Sequence, residues 1–132
     1  MSSHLANEGR LAMVQDAVRE ERITMEIVVD AYGPEEQAMG WYYYLDDKLN
    51  FPFVATCVNK RRISPLKIGT DVTVVGMAPE EECEQEMFVE IEWEDDVLAV
   101  PLSQLQPLGF DEETQEAIDD WHYWVDQGYE FI

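Results

Sequence analysis

The stretch 87–101, Met87-Phe88-Val89-Glu90-Ile91-Glu92-Trp93-Glu94-Asp95-Asp96-Val97-Leu98-Ala99-Val100-Pro101, decides the fold. From Val89 to Glu94 the alternation is strict. Val89, Ile91 and Trp93 fall on one face of an extended chain, and Glu90, Glu92 and Glu94 on the other. A strand with one apolar and one charged face covers a core on one side and meets water on the other, as antiparallel sheets do. Glu94-Asp95-Asp96 turns the chain into a second apolar run, Val97 to Val100, so the unit is a hairpin. Pro101 opens a short connector, Leu102 to Leu108.

Upstream, Phe51-Pro52-Phe53-Val54-Ala55-Thr56-Cys57-Val58 is rich in β-formers and ends in a basic turn, Lys60-Arg61-Arg62. Asp71 to Val75 alternates weakly and is closed by Gly76. Four or five short strands at this spacing predict a small antiparallel SH3-like sheet or barrel. Downstream, Ala117, Ile118, Trp121, Trp124 and Val125 form one apolar stripe between Asp111 and about Gln127, a helix that docks on the sheet.

Two helices precede the strands. Leu11, Val14, Val18, Met25, Val28, Val29 and Tyr32 recur at three- and four-residue steps, with Arg19, Glu20, Glu21, Arg22 and Glu26 filling the other face. Gly33 and Pro34 end that helix and start the next, which runs to about Lys48. Trp41-Tyr42-Tyr43-Tyr44 points all round the second helix, which requires burial on most of its sides. Residues 1–10 are polar and without period and read as a flexible tail; 11–132 read as one domain. The fold class is α+β: N-terminal helices, the small sheet, and a C-terminal helix.

Charge is the second strong signal. The chain of 132 residues carries 29 acids against 8 bases, a net charge of −21, yet 46% of its residues are hydrophobic, enough to fold rather than stay disordered. Such a surface excludes nucleic acid and anionic membrane as partners, since both need clustered Lys and Arg. There is no span-length apolar run and no signal-peptide core, so the expected location is cytoplasmic. Cys57 and Cys83 read as reduced thiols rather than a disulfide or a zinc site. All eight bases lie in the first 67 positions with ten acids; the remaining 65 hold nineteen acids and no base. Ion pairs of the second half must therefore reach back to the first, and a cation from outside is the natural remedy for the rest.

The carboxylates cluster. Glu80-Glu81-Glu82-Cys83-Glu84-Gln85-Glu86 reads as a mobile acidic hairpin loop, either solvated or able to wrap oxygens around a hard cation. Glu90, Glu92 and Glu94 share a strand face at about 6.6–6.8 Å spacing. Each neighbouring pair repels by about 0.6 kcal/mol in water and about 2.4 kcal/mol at an effective dielectric of about 20. Asp46 and Asp47 sit at a helix C-terminus, against the negative pole of its dipole, with Asn50 nearby; either a metal or Lys48 and the basic turn compensates them. Glu112, Glu116, Asp119 and Asp120 read as a solvated outer face of the last helix.

No stretch has the oxygen spacing of an EF-hand, so a Ca²⁺ site must be assembled from separate segments. No catalytic set emerges either. His4 lies in the tail, His122 reads as a packing or capping residue, and the glycines do not form a phosphate-cradling loop, so the chain is not read as an enzyme.

Met25-Glu26-Ile27-Val28-Val29-Asp30-Ala31-Tyr32, Ala38 to Leu45 and Asp47-Lys48-Leu49-Asn50-Phe51-Pro52-Phe53 resemble the small acidic calcium-binding proteins first described in cyanobacteria, the CcbP type. Val75-Gly76-Met77-Ala78-Pro79, Val89 to Trp93 and Leu98 to Leu105 are similar as well, so the likeness covers roughly residues 20 to 127. The resemblance implies a soluble, non-EF-hand Ca²⁺ binder that buffers or senses intracellular calcium, with more than one site. It implies Asp46 and Asp47 as ligands in the helix-to-strand loop, and Glu81, Glu82, Glu84, Glu90 and Glu92 as candidates. Residues 11–132 would be the calcium-binding domain, and a protein partner is possible. The alternative is an acidic interaction protein or decoy, which presents a negative surface to a basic partner without metal chemistry.

Overall fold

The computed structural model describes residues 16–131. The alternating stretch forms β3, Phe88–Trp93, which pairs antiparallel with β4, Asp96–Pro101, in a register that sets Val89 opposite Val100 and Ile91 opposite Leu98. Val89, Ile91 and Val100 are fully buried, and Glu92 on the other face is exposed. Two further strands continue the sheet, β1, Phe53–Cys57, and β2, Asp71–Met77, with a register shift between Val74 and Gly76 against β3.

The 102–108 segment is not only a connector. Leu102–Gln104 makes one 3-10 turn and Leu105–Pro107 is a fifth strand, β5, paired antiparallel with β1. The order β4-β3-β2-β1-β5, all antiparallel with a 3-10 turn before the last strand, is SH3-like, and with its flanking helices it makes the fold α+β.

Helix α2, Pro34–Lys48, has Pro34 in its first turn and buries Ala38, Trp41 and Leu45 on one column of i, i+3 and i+4 positions. Of the four successive aromatics only Tyr43 is exposed. Helix α3, Glu112–Asp126, is capped by Asp111, which accepts from the Glu113 N–H, and buries Ala117, Ile118, Trp121 and Trp124; Val125 stays exposed. Trp41 of α2 meets Trp121 and Trp124 of α3 edge-on, with ring centroids 5.0 and 5.6 Å apart. His122 packs as expected, its Nε2 lying 2.7 Å from the Leu105 carbonyl oxygen of β5. Cys57 and Cys83 are free and buried.

The first helix departs from its expected form. Helix α1, Ala17–Arg22, runs into a π-helical turn, Ile23–Ile27, closed by the Val28 N–H bonding five residues back to the Ile23 carbonyl. The buried residues are Ile23 and Ile27, whereas Val18, Met25, Val29 and Tyr32 are exposed. Gly40 supplies the reason: α2 passes so close that a Cβ there would collide with the Ile27 carbonyl oxygen, and this contact turns the Ile23–Ile27 face inward. Leu11, Val14, His4 and the 1–10 segment lie outside the described residues.

Asp120 corrects a second expectation. It is not on a solvated face but fully buried. Its carboxylate accepts from Arg19 Nε at 2.7 Å, Arg22 Nε at 2.9 Å, Arg22 Nη2 at 2.7 Å and the Tyr44 hydroxyl at 2.8 Å. These bonds tie α1 and α2 to α3. Burial, and then the bond to Asp120, push the Tyr44 hydroxyl far above its ordinary pKa.

Candidate metal centre

The acidic 80–86 segment does connect two antiparallel strands, β2 and β3, and part of it has regular structure. Pro79 leads into a 3-10 turn, Glu80–Cys83, and Cys83 is its anchor: the side chain is buried, and its Sγ accepts from the Phe88 N–H at 3.3 Å. Burial raises the Cys83 thiol to about 11. One buried apolar residue inside a run of glutamates thus fixes where the carboxylates stand. The Tyr42 hydroxyl of α2 donates to the Ala78 carbonyl at 2.7 Å and holds the end of β2 against the helix. The turn therefore lies along α2, with the Tyr43 hydroxyl 3.3 Å from Glu80 Oε1.

Asp46 follows Tyr42 by one helical turn. The Tyr42 hydroxyl is raised by burial and then by Cys83, Asp46, Glu80 and Glu81, so these three carboxylates share one electrostatic neighbourhood. None of the three has an ion-pair partner among the described residues, nor do Glu82 and Glu84. Glu81, Glu82, Glu84 and Glu86 line an adjoining depression of about 320 Å³. Only Glu86 there is neutralised, by a two-pronged contact with Arg61 at 2.7 and 3.1 Å.

Asp47 lies apart, because consecutive helical residues point about 100° apart. It is 3.9 Å from Lys48 Nζ, which is also 3.9 Å from Glu113. The Asn50 side-chain amide donates to Asp111 at 2.6 Å and to Glu113 at 3.2 Å. Bonds from Thr114 and then Asn50 hold the Asp111 carboxyl below the usual carboxylate range. Asp111 and Glu113 were not among the sequence candidates; Asp111 is legible as a helix cap, but a contact across 61 residues leaves no local signal.

Glu90 and Glu92 project from the outer face of the sheet, opposite Ala99 and Val97. Glu92 joins Glu94, Asp95 and Asp96 around a depression of about 580 Å³ at the hairpin end. The sequence candidates thus divide into Asp46 with Glu81, then Glu82 and Glu84 beside them; Asp47 on the α3 side; and Glu90 and Glu92 on the sheet. Among the described residues, no three of His, Cys, Asp or Glu converge as a formed metal site. The exposed donors around Tyr42 are all carboxylate oxygens, the Cys83 sulfur being buried and bonded to the Phe88 N–H. That chemistry fits Ca²⁺, which takes about six to eight oxygens in loose geometry, and not a metal that prefers nitrogen or sulfur.

The family model of CcbP-type proteins, described as calcium binding, matches residues 21–125. The crystal structure of Anabaena CcbP is 48% identical, with a TM-score of 0.79 over 89% of this chain and 97% of the other. A calcium-binding protein in its calcium-binding form is 47% identical, with a TM-score of 0.79 over 89% of this chain and 96% of the other. No curated protein shows significant similarity to the chain.

Proposed function

The chain belongs to the CcbP-type calcium-binding family, and on that footing we propose that it binds Ca²⁺ reversibly through carboxylates from separate elements, and so buffers or senses the ion inside the cell. The observation that supports this reading is the docking of the Glu80–Cys83 turn on α2 through Tyr42 and Tyr43, which sets Glu80 and Glu81 along the helix that carries Asp46, without a basic partner for the three among the described residues. An ion there relieves their mutual repulsion, and affinity grows with the number of charged ligands. Asp111 and Glu113, joined through Asn50 and with Lys48 between Glu113 and Asp47, make a second acidic group, and Glu92 with the hairpin acids a third. In this reading residues 11–132 act as one calcium-binding domain.

Melting curves test the reading. A ligand that binds only the folded state stabilises it by about 2.7 kcal/mol at a hundred times its Kd. Millimolar Ca²⁺ is expected to raise the melting temperature above that in chelator, and by more than equimolar Mg²⁺, which demands tighter octahedral geometry. An acidic decoy without metal chemistry would melt identically in all three.

A further inference from the structure

The same acidic turn borders a feature that calcium binding does not use. Between the first turns of α2 and the segment 80–85 runs a groove of about 460 Å³, within the range of ligand clefts. Pro34, Ala38 and Met39 give it an apolar wall, and Glu35, Glu81 and Glu84 stand on its rim. None of these three glutamates has an ion-pair partner among the described residues. Exposed apolar side chains also precede α2 in the chain: Met25, Val29 and Tyr32 are 61, 47 and 86% exposed, and Tyr32 stands two residues before Pro34. Acids flank this surface too, at Glu26, Asp30 and Glu36.

An apolar cleft rimmed by uncompensated carboxylates selects its occupant by both properties. Apolar side chains gain by leaving water, and cationic ones by meeting the rim. A second copy of this chain is opposed by its own net charge of −21. We infer that the groove between α2 and the 80–85 segment binds an amphipathic segment of a partner protein, apolar on one face and flanked by Lys or Arg, in competition with Ca²⁺. The competition rests on the proposed calcium site: Glu81 belongs to both, and its charge is neutralised either by the ion or by the partner's cation. Linkage makes the effect reciprocal, so the partner weakens Ca²⁺ binding by the factor by which Ca²⁺ weakens the partner's. Such coupling gives a calcium binder an output, since a rise in Ca²⁺ releases the bound segment.

The test uses the full chain and a fluorescent Leu/Lys peptide that forms an amphipathic helix. Its control has the same composition in an order without an apolar face. In chelator the amphipathic peptide is expected to bind about tenfold or more tighter than the control, and Met39→Asp to abolish that preference. Glu35→Lys, at an exposed rim position, should weaken the peptide without disturbing the fold. Saturating Ca²⁺ is expected to weaken the peptide on the parent protein by about fivefold or more. Equal affinity for the two peptides overturns the groove, as does a preference unmoved by both substitutions, or a dimer in sedimentation that Met39→Asp dissociates. Peptide affinity indifferent to Ca²⁺, when Ca²⁺ itself binds, overturns the competition. Failure of Ca²⁺ to bind at all overturns the calcium reading and the competition with it, while the measurements in chelator still decide the groove.

Discussion

Arg22 and Asp120 form the principal electrostatic joint of the fold: Nε and Nη2 of the guanidinium lie 2.9 and 2.7 Å from the two oxygens of a fully buried carboxylate. Arg19 completes the pairing from one turn earlier on α1, so both arginines of that helix are fastened to an acid of the base-free half. Removing one partner of a buried pair leaves the other uncompensated, at about 3–5 kcal/mol. Asp120→Ala is therefore expected to lower the urea unfolding free energy by that amount. A loss below about 1 kcal/mol, the range of exposed pairs, would show that the joint contributes little.

Gly40 makes an opposing pair of effects measurable. Alanine is a better helix former than glycine by about 1 kcal/mol, so an unobstructed Gly40→Ala would stabilise α2. The new methyl would instead meet the backbone carbonyl of Ile27, which cannot swing aside as a side chain does. Overpacking of this kind costs about 1–3 kcal/mol. Net destabilisation is expected in thermal or urea unfolding, and a stabilised variant would mean that the Ile23–Ile27 turn does not press on Gly40.

Asp111 gives a pH dependence of known sign. Its folded-state pKa is depressed by Thr114 and then Asn50, so between the folded and unfolded values the unfolded chain binds more protons. The contribution is complete above the unfolded value of about 3.9 and is lost as pH falls through the lower folded value. Asp111→Asn keeps a competent helix cap and removes the charge. The variant should be less stable than the parent protein at pH 7, with the difference closing as the pH falls below about 3.9. A difference that persists undiminished to the lowest folded pH would contradict the assignment.

At the hairpin end Glu94 and Asp95 hold φ values of 49° and 65°, the left-handed region that favours Asn and Gly. Glu94→Asn with Asp95→Gly suits the same turn with less strain and two fewer acids. A gain of about 1 kcal/mol is expected in chelator, measured by urea unfolding. Loss of stability would mean that the two acids already satisfy the turn.

These positions also mark where the sequence was readable. The 87–101 hairpin and the stripe of α3 follow from periodicity, because each has one buried face, and helix α2 from the Gly33-Pro34 start signal. β5 escaped notice since three residues carry no period. The buried face of the first helical segment was misread because the close approach at Gly40 and the π-turn after α1, not the count of apolar residues, select Ile23 and Ile27. Asp120 looked like its neighbours, and only contacts across 76, 98 and 101 residues distinguish it. The clusters of the candidate site were legible as composition. Their grouping was not: the Glu80–Cys83 turn lies along the helix that carries Asp46 only because Cys83 is buried and Tyr42 grips Ala78, while Asp47, the next residue, pairs with Lys48, which also reaches Glu113 of α3. Cys83, an apolar anchor among glutamates, was the one available sign that this segment packs.

Calorimetric titration of Ca²⁺ into the parent protein and into Asp46→Asn with Glu81→Gln tests the central claim most directly. The parent protein is expected to give saturable heat. The double variant should lose one class of sites or bind it about tenfold or more weakly, since two ligand charges are gone while the fold is untouched. Superimposable titrations of the two proteins would contradict the assignment of Ca²⁺ to the junction of α2 and the acidic turn.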